Sequence, residues 1–206
     1  MGIERRYKDF FIDQQFDKKL NISTQGYIKL EDQICYNNYE ATPYRMLDML
    51  FSEENFNAND YLVDVGSGLG RILFYASYRG CPTVLGIEKD KKIFGKMTEN
   101  LIKYAENMCV GNIKITNDYI ENIDLDKMMN KFFLFNPFDV TIFKTLMEKL
   151  YISLEEDFRI VKLYLYYPTK EYIKYLEGSN IFQLDKIIGS DLNKKNIYIY
   201  TSNKFD

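Results

Sequence analysis

The 206-residue chain carries 27 Lys and Arg against 30 Asp and Glu, giving a net charge of −3 and a pI near 5.3, and it has no histidine. A chain of that length can bury a core of its own. The missing histidine excludes Ser-His and Cys-His triads, histidine-ligated zinc and an imidazole general base. The mild acidity argues against a dedicated nucleic-acid binder, whose footprint is a strongly basic face.

Cys35, Cys81 and Cys109 are scattered, without a C-x-x-C spacing. They read as free thiols of a reducing compartment rather than a disulfide frame or metal site, and no metal is expected. No stretch is apolar for the ~18 residues of a membrane span. The charged opening M-G-I-E-R-R-Y-K-D leads into no hydrophobic run, and Arg6 breaks the myristoylation pattern that Gly2 begins. A cytoplasmic protein with no membrane partner is expected.

In chain order, Phe10, Phe11, Phe16 and Leu20 recur at helical spacing among charges, predicting an amphipathic helix. Residues 21–41 show no clear period. Thr42-Pro43 reads as a helix start, with Thr42 as N-cap and Pro43 at the first helical position, and Leu47, Leu50 and Phe51 form the buried stripe. Residues 1–60 are thus expected to be a helical extension, placed as a lid, and 61–206 the core. The core pattern gives strands at 61–65, 83–88, 112–117, 131–136 and 158–167. Helices are expected over 72–78, 91–108, around 141–150 and over 169–177, and two last strands, 181–188 and 196–201, form a hairpin. The fold expected is α/β: a doubly wound, seven-stranded, mostly parallel sheet with a C-terminal antiparallel hairpin and an N-terminal helical extension. Ligands of such sheets bind beyond the carboxyl ends of the strands.

The residues just past those strand ends carry the chemistry. V-D-V-G-S-G-L-G-R (63–71) places Gly66, Gly68 and Gly70 between a strand and a helix, where backbone without Cβ atoms can turn sharply and approach a ligand. The spacing G-x-G-x-G differs from the dinucleotide fingerprint G-x-G-x-x-G and favours a nucleoside with a methionine tail. Glu88 ends the second strand 22 residues after Gly66, where a carboxylate can accept from two ribose hydroxyls. Asp118, after the third strand, can accept from an adenine amino group. F-N-P-F (135–138) follows the fourth strand: Asn136 and the Pro137 carbonyl offer acceptors that orient an amine lone pair, and Phe138 offers a face to stack on a flat substrate.

This order of motifs over residues 61–202 resembles the class I S-adenosylmethionine-dependent methyltransferases, with uncharacterised bacterial members bearing G-S-G-x-G-R and F-N-P-F as the nearest relatives expected. V-D-V-G-S-G-L-G also resembles the cofactor half of the non-SET histone-lysine methyltransferases. The resemblance implies S-adenosyl-L-methionine as cofactor. Asp64, Gly66 and Gly68 would then hold its methionine moiety, with Ser67 and Gly70 completing the turn. Glu88 would hold the ribose and Asp118 with Tyr119 the adenine, while Asn136 would face the methyl group. The single proline departs from the Pro-Pro-aromatic pattern of amino-methyltransferases acting on bases.

The expected reaction is in-line methyl transfer, in which the protein positions reactants and excludes water. An amine on a protein side chain or small molecule is the expected acceptor; a nucleic-acid base, or a cofactor-binding module without catalysis, is the alternative. Without histidine, an amine proton would leave to water, Glu40 or Tyr39. Tyr39, Glu40, Thr42 and Tyr44 of Y-N-N-Y-E-A-T-P-Y are candidate contacts to the methionine carboxylate or the acceptor.

Overall fold

The computed structural model describes residues 2–30, 35–108, 111–189 and 195–204, with side chains from residue 9 onward. Cys109 lies outside the described residues. The chain begins with α1 (Gly2–Lys19), the two-residue antiparallel strands β1 (Tyr27–Ile28) and β2 (Tyr39–Glu40), and α2 (Tyr44–Glu53). There follow β3 (Tyr61–Val65), α3 (Arg71–Tyr78), β4 (Thr83–Ile87), α4 (Lys91–Asn107), β5 (Asn112–Thr116), β6 (Lys131–Leu134), α5 (Val140–Glu156), β7 (Lys162–Tyr166), α6 (Lys170–Glu177), β8 (Phe182–Ile188) and β9 (Ile197–Ser202).

The large sheet runs β5-β4-β3-β6-β7-β9-β8. The pairs from β5 through β7 are parallel, and β9 enters antiparallel between β7 and β8. The doubly wound seven-stranded sheet and its terminal hairpin are therefore as expected. Side-chain alternation explains the two layers: on β3, Leu62 joins the core under α2, α3 and α4, whereas Tyr61, Val63 and Val65 join the core under α5 and α6. Every residue of β3 and β6 is buried, as a parallel strand covered on both faces requires. The strand order reverses between β3 and β6, so their carboxyl ends frame the crevice where such sheets take ligands.

The strand expected over 158–167 is shorter, Lys162–Tyr166, and two further boundaries differ from the pattern for local reasons. The fourth strand stops at Leu134 because Asn136 turns into the left-handed region, with φ 41°. The Thr42 cap is not made: α2 starts at Tyr44, whose N–H donates to Asp13 Oδ1 on α1 at 2.9 Å. Thr42 is buried instead, and its carbonyl accepts from Arg71. No helix among the described residues is long and apolar enough to cross a membrane.

At the opposite end of the sheet from the crevice, Glu54 closes α2 over the strands. It is 5 % exposed and accepts from Lys162 Nζ at 2.7 Å and Tyr164 Oη at 3.0 Å, with Lys186 Nζ at 3.2 Å. Burial pushes its carboxyl up, but the hydrogen bonds from Lys162 and Lys186 outweigh it and hold the pKa below the ordinary 4.5. A carboxylate whose pKa is lower folded than unfolded stabilises above the unfolded value and loses that contribution as pH falls through the folded one. Glu54→Gln should therefore cost about 1–3 kcal/mol at neutral pH. Chemical denaturation of both forms should show the gap closing as pH drops below 4.5.

Candidate functional site

The crevice is built on the turn after β3. Gly66, Gly68 and Gly70 hold φ of 74°, 57° and 86°, in the region that side chains disfavour. The N–H groups of Gly66 and Ser67 both donate to Ile87 O at 2.9 Å, which pins the turn to the end of β4. Glu88 follows immediately. Its two carboxylate oxygens accept from Gly68 N and Asp90 N, each at 2.9 Å. Space is as tight as conformation: a Cβ on Gly66 would collide with the Pro137 ring, and one on Gly68 with the ring of Tyr39.

The N-terminal segment crosses the crevice as a strap. Asp139 N donates to Cys35 O at 2.7 Å and Asn37 N to Pro137 O at 3.0 Å, so residues 35–37 pair antiparallel with the chain after β6. Asn37 Nδ2 also donates to Asn136 O at 2.7 Å. Tyr36 Oη reaches both oxygens of Glu121 at 3.0 Å, and Lys89 Nζ sits 3.6 Å from the centre of the Tyr36 ring. Between strap and sheet end lies a pocket of about 610 Å³, counting its open mouth.

Of the expected residues, Tyr39, Gly66, Gly68, Glu88, Asp118, Tyr119, Pro137 and Phe138 line this pocket. Asp64 and Ser67 line a smaller side cavity next to it. Asp118 Oδ1 accepts from Tyr119 N and Asn122 Nδ2, which fixes the loop after β5. Gly70 does not reach the pocket: it starts α3 and lies against Phe74 and Met97, so its freedom serves packing.

Other expectations need correction. The Pro137 carbonyl is not a free acceptor, because Asn37 N already occupies it. Phe138 is 1 % exposed, with its ring edge-on to Tyr36 and Tyr172 beyond it, so it floors the pocket rather than offering a face for stacking. Tyr39 donates its hydroxyl to Thr24 O at 2.6 Å, and burial pushes its pKa well above the ordinary value; it forms a wall and is no proton acceptor. Tyr44 is fully buried, donating to Asp17, and belongs to the core. Glu40 is exposed at the rim and pairs with Lys195 at 3.1 Å.

Asn136 is absent from the pocket lining. Its Nδ2 donates to the Tyr167 carbonyl, and its Oδ1 is buried without a hydrogen-bond partner. Sequence reasoning passed over Tyr36, Asn37 and Lys89, which close the pocket, and Arg71, which stands behind it. Only Arg71 carried a signal, as the first residue after the glycine turn.

The family described as Histone methylation protein DOT1 matches residues 32–205, from the strap to the last strand. The chain belongs to the DOT1 family. It is accordingly an S-adenosylmethionine-dependent methyltransferase. Three solved structures share its fold. A ribosomal protein L11 methylase from Lactobacillus delbrueckii subsp. bulgaricus is 20% identical, with a TM-score of 0.53 over 77% of this chain and 78% of that one. An RNA methyltransferase from Salinibacter ruber, in complex with S-adenosyl-L-homocysteine, is 18% identical, with 0.53 over 81% and 95%. An rRNA methylase from Streptococcus thermophilus is 16% identical, with 0.53 over 76% and 93%. No curated protein matches.

The pocket of this DOT1-family chain fits the cofactor on its own chemistry. Glu88 keeps lone pairs free on both oxygens for ribose hydroxyls, beside a backbone cradle that any Cβ would fill. The cradle comes at an electrostatic cost. Burial, and after it the nearby Glu88, pushes the Asp64 carboxyl well above its ordinary 3.8, and burial likewise raises Glu88. A carboxyl whose pKa is raised by folding favours the folded state below the unfolded value and loses that advantage as pH climbs through the folded one.

Two outcomes follow. Asp64→Asn should raise the melting temperature of the ligand-free protein at pH 7, by the equivalent of about 1–3 kcal/mol, with the difference vanishing below pH 3.8 and with cofactor affinity reduced. S-adenosylhomocysteine at 100 times its dissociation constant should stabilise the wild type by about 2.7 kcal/mol. Glu88→Ala should remove most of that thermal shift at the same concentration, whereas a shift untouched by the substitution would contradict the ribose role.

Proposed function

We propose that the protein methylates an amine nitrogen, on a protein side chain or a small molecule, by in-line transfer. The observation that carries this reading is Asn136 Oδ1, a buried acceptor with no partner just past β6, on the residue between Phe135 and Pro137 of the pocket lining. Leaving such an atom unpaired costs about 1–3 kcal/mol, and the N–H of an amine is the complement it lacks.

S-adenosylmethionine supplies an electrophilic methyl group when bound. Glu88 would hold its ribose, Asp118 and Tyr119 its adenine, and the turn at Gly66, Ser67 and Gly68 its amino-acid end. The rest of the work falls to placement. The hydrogen bond from Asn136 Nδ2 to the Tyr167 carbonyl fixes the rotation of the amide, so that Oδ1 holds one orientation. An N–H bonded to that oxygen turns the nitrogen lone pair along a set direction, the kind of positioning that can recover about 7–11 kcal/mol of a barrier. Glu40, exposed at the rim of the pocket, is a carboxylate that can take the proton an ammonium must lose. The strap over residues 35–40, held to the chain after β6, excludes water and gives the first 60 residues their role as a lid.

The test is transfer of radiolabelled methyl groups into fractionated lysate, followed by kinetics with the labelled acceptor. Label should enter protein or small amines. Asn136→Ala should lower kcat at least about 10-fold while calorimetric affinity for S-adenosylhomocysteine stays unchanged. Label confined to RNA would replace the amine reading with base methylation.

A further inference from the structure

The carboxyl ends of β6 and β7 and the amino end of β9 are tied together by one run of hydrogen bonds. Asn136 Nδ2 donates to the Tyr167 carbonyl, and Tyr167 N donates to Asn196 O at 2.9 Å. Tyr167, at φ 52°, is the link between them, and its ring is left exposed. Lys195 is the residue before Asn196, so its backbone stands two hydrogen bonds from the amide whose Oδ1 has no partner. Its side chain reaches the pocket rim. Nζ donates to Glu40 Oε1 at 3.1 Å and lies 5.6 Å from the centre of the Tyr167 ring. Glu40 lines the pocket, as does Phe135, the residue before Asn136.

An amine of the chain itself thus stands at the rim, already bonded to a carboxylate that can take its proton. The pair is half-exposed on both sides, and ion pairs so exposed hold weakly, so the amine can leave the carboxylate at little cost. The flexible four-carbon stem of a lysine gives it reach. Other amines near the crevice are placed differently. Lys89 lines the same pocket, but its Nζ sits over the Tyr36 ring and 5.6 Å from the centre of the Tyr119 ring, at the end proposed for adenine. Lys29, Lys92 and Lys96 line a different groove beside α4. Among the described residues, Lys195 is therefore the lysine joined both to the Asn136 run and to a carboxylate of the pocket.

We propose that Lys195 is a methylation site of the protein itself, modified in cis by the pocket it borders. The proposal rests on the reading of the site as one that methylates amines. Glu40 takes a proton from the Lys195 ammonium and later returns it to water. The freed lone pair on Nζ forms a bond to the methyl carbon of S-adenosylmethionine while the bond from that carbon to sulfur breaks, its electron pair staying on sulfur. The products are an N-methylated Lys195, still a cation, and the neutral thioether S-adenosylhomocysteine. The methylated ammonium keeps its attraction for the Tyr167 ring, whereas each methyl group removes one of the N–H donors that can reach Glu40.

The test is intact mass of the purified full chain, as isolated and after incubation with S-adenosylmethionine and no other acceptor, with peptide mapping to locate the modification. The mass should rise by whole methyl groups, all on Lys195, at a rate per molecule independent of protein concentration. Lys195→Arg should abolish the gain while calorimetric affinity for S-adenosylhomocysteine is unchanged, and Lys194→Arg, at the preceding lysine, should leave the gain in place. Glu40→Gln should slow it at least about 10-fold; an unchanged rate would overturn the proton route. Methyl groups on Lys89, Lys194 or any other residue, or a rate that rises with protein concentration, would overturn the assignment of Lys195 as a site modified in cis. No gain in mass, with label still passing to external amines, would overturn self-methylation and leave the amine reading standing. Binding of S-adenosylhomocysteine without transfer to either would overturn the amine reading too, and failure to bind it would overturn the cofactor assignment.

Discussion

The ligand end of the sheet depends on how closely backbone approaches ring at the turn after β3. Pro137 lies where a Cβ of Gly66 would stand, and the Tyr39 ring where a Cβ of Gly68 would stand. The glycines therefore serve the protein before they serve a ligand. They let the chain after β6 and the N-terminal strap close to within contact of β3, which makes a walled pocket out of an open crevice. Glu88 then locks the arrangement by taking the Gly68 N–H, so a carboxylate that lines the pocket also holds the cradle in shape.

That lock has a thermodynamic counterpart. Asp64 and Glu88 are buried acids whose pKa values rise because water is excluded, and the Glu88 charge gives Asp64 a second push upward. A protein selected for stability alone would carry an amide or an apolar group at position 64. Acceptors already stripped of water need no reorganisation when a hydrogen-bond donor arrives.

Much of this was legible in the residues. Strand and helix periods gave the doubly wound sheet, and the glycine turn, Glu88, Asp118 and Tyr119 gather at one pocket because strand ends are set by the local pattern. What local pattern does not encode is which backbone groups are already taken. The Pro137 carbonyl is lost to Asn37, 100 residues earlier in the chain, and nothing in F-N-P-F announces that pairing. Phe138 and Tyr44 were misjudged for a similar reason, since an aromatic beside a site can be core or contact and only packing decides. Residues 21–41 lack a period because β1 and β2 are two residues long, and the strap gains its shape from long-range hydrogen bonds.

The partners of Arg71 bear on where one folding unit ends. Family likeness begins at residue 32, which invites cutting the chain there for study. The guanidinium takes no notice of that boundary, for its 2.6 Å ion pair is with Asp13, and the Thr24 hydroxyl on its Nε lies before residue 32 as well. A fragment starting at 32 would retain every motif that marks the family while leaving a desolvated cation facing a cleft with its counter-charges gone. Here the unit that evolution labels and the unit that electrostatics can neutralise are different lengths of chain, and the longer one is the protein to express.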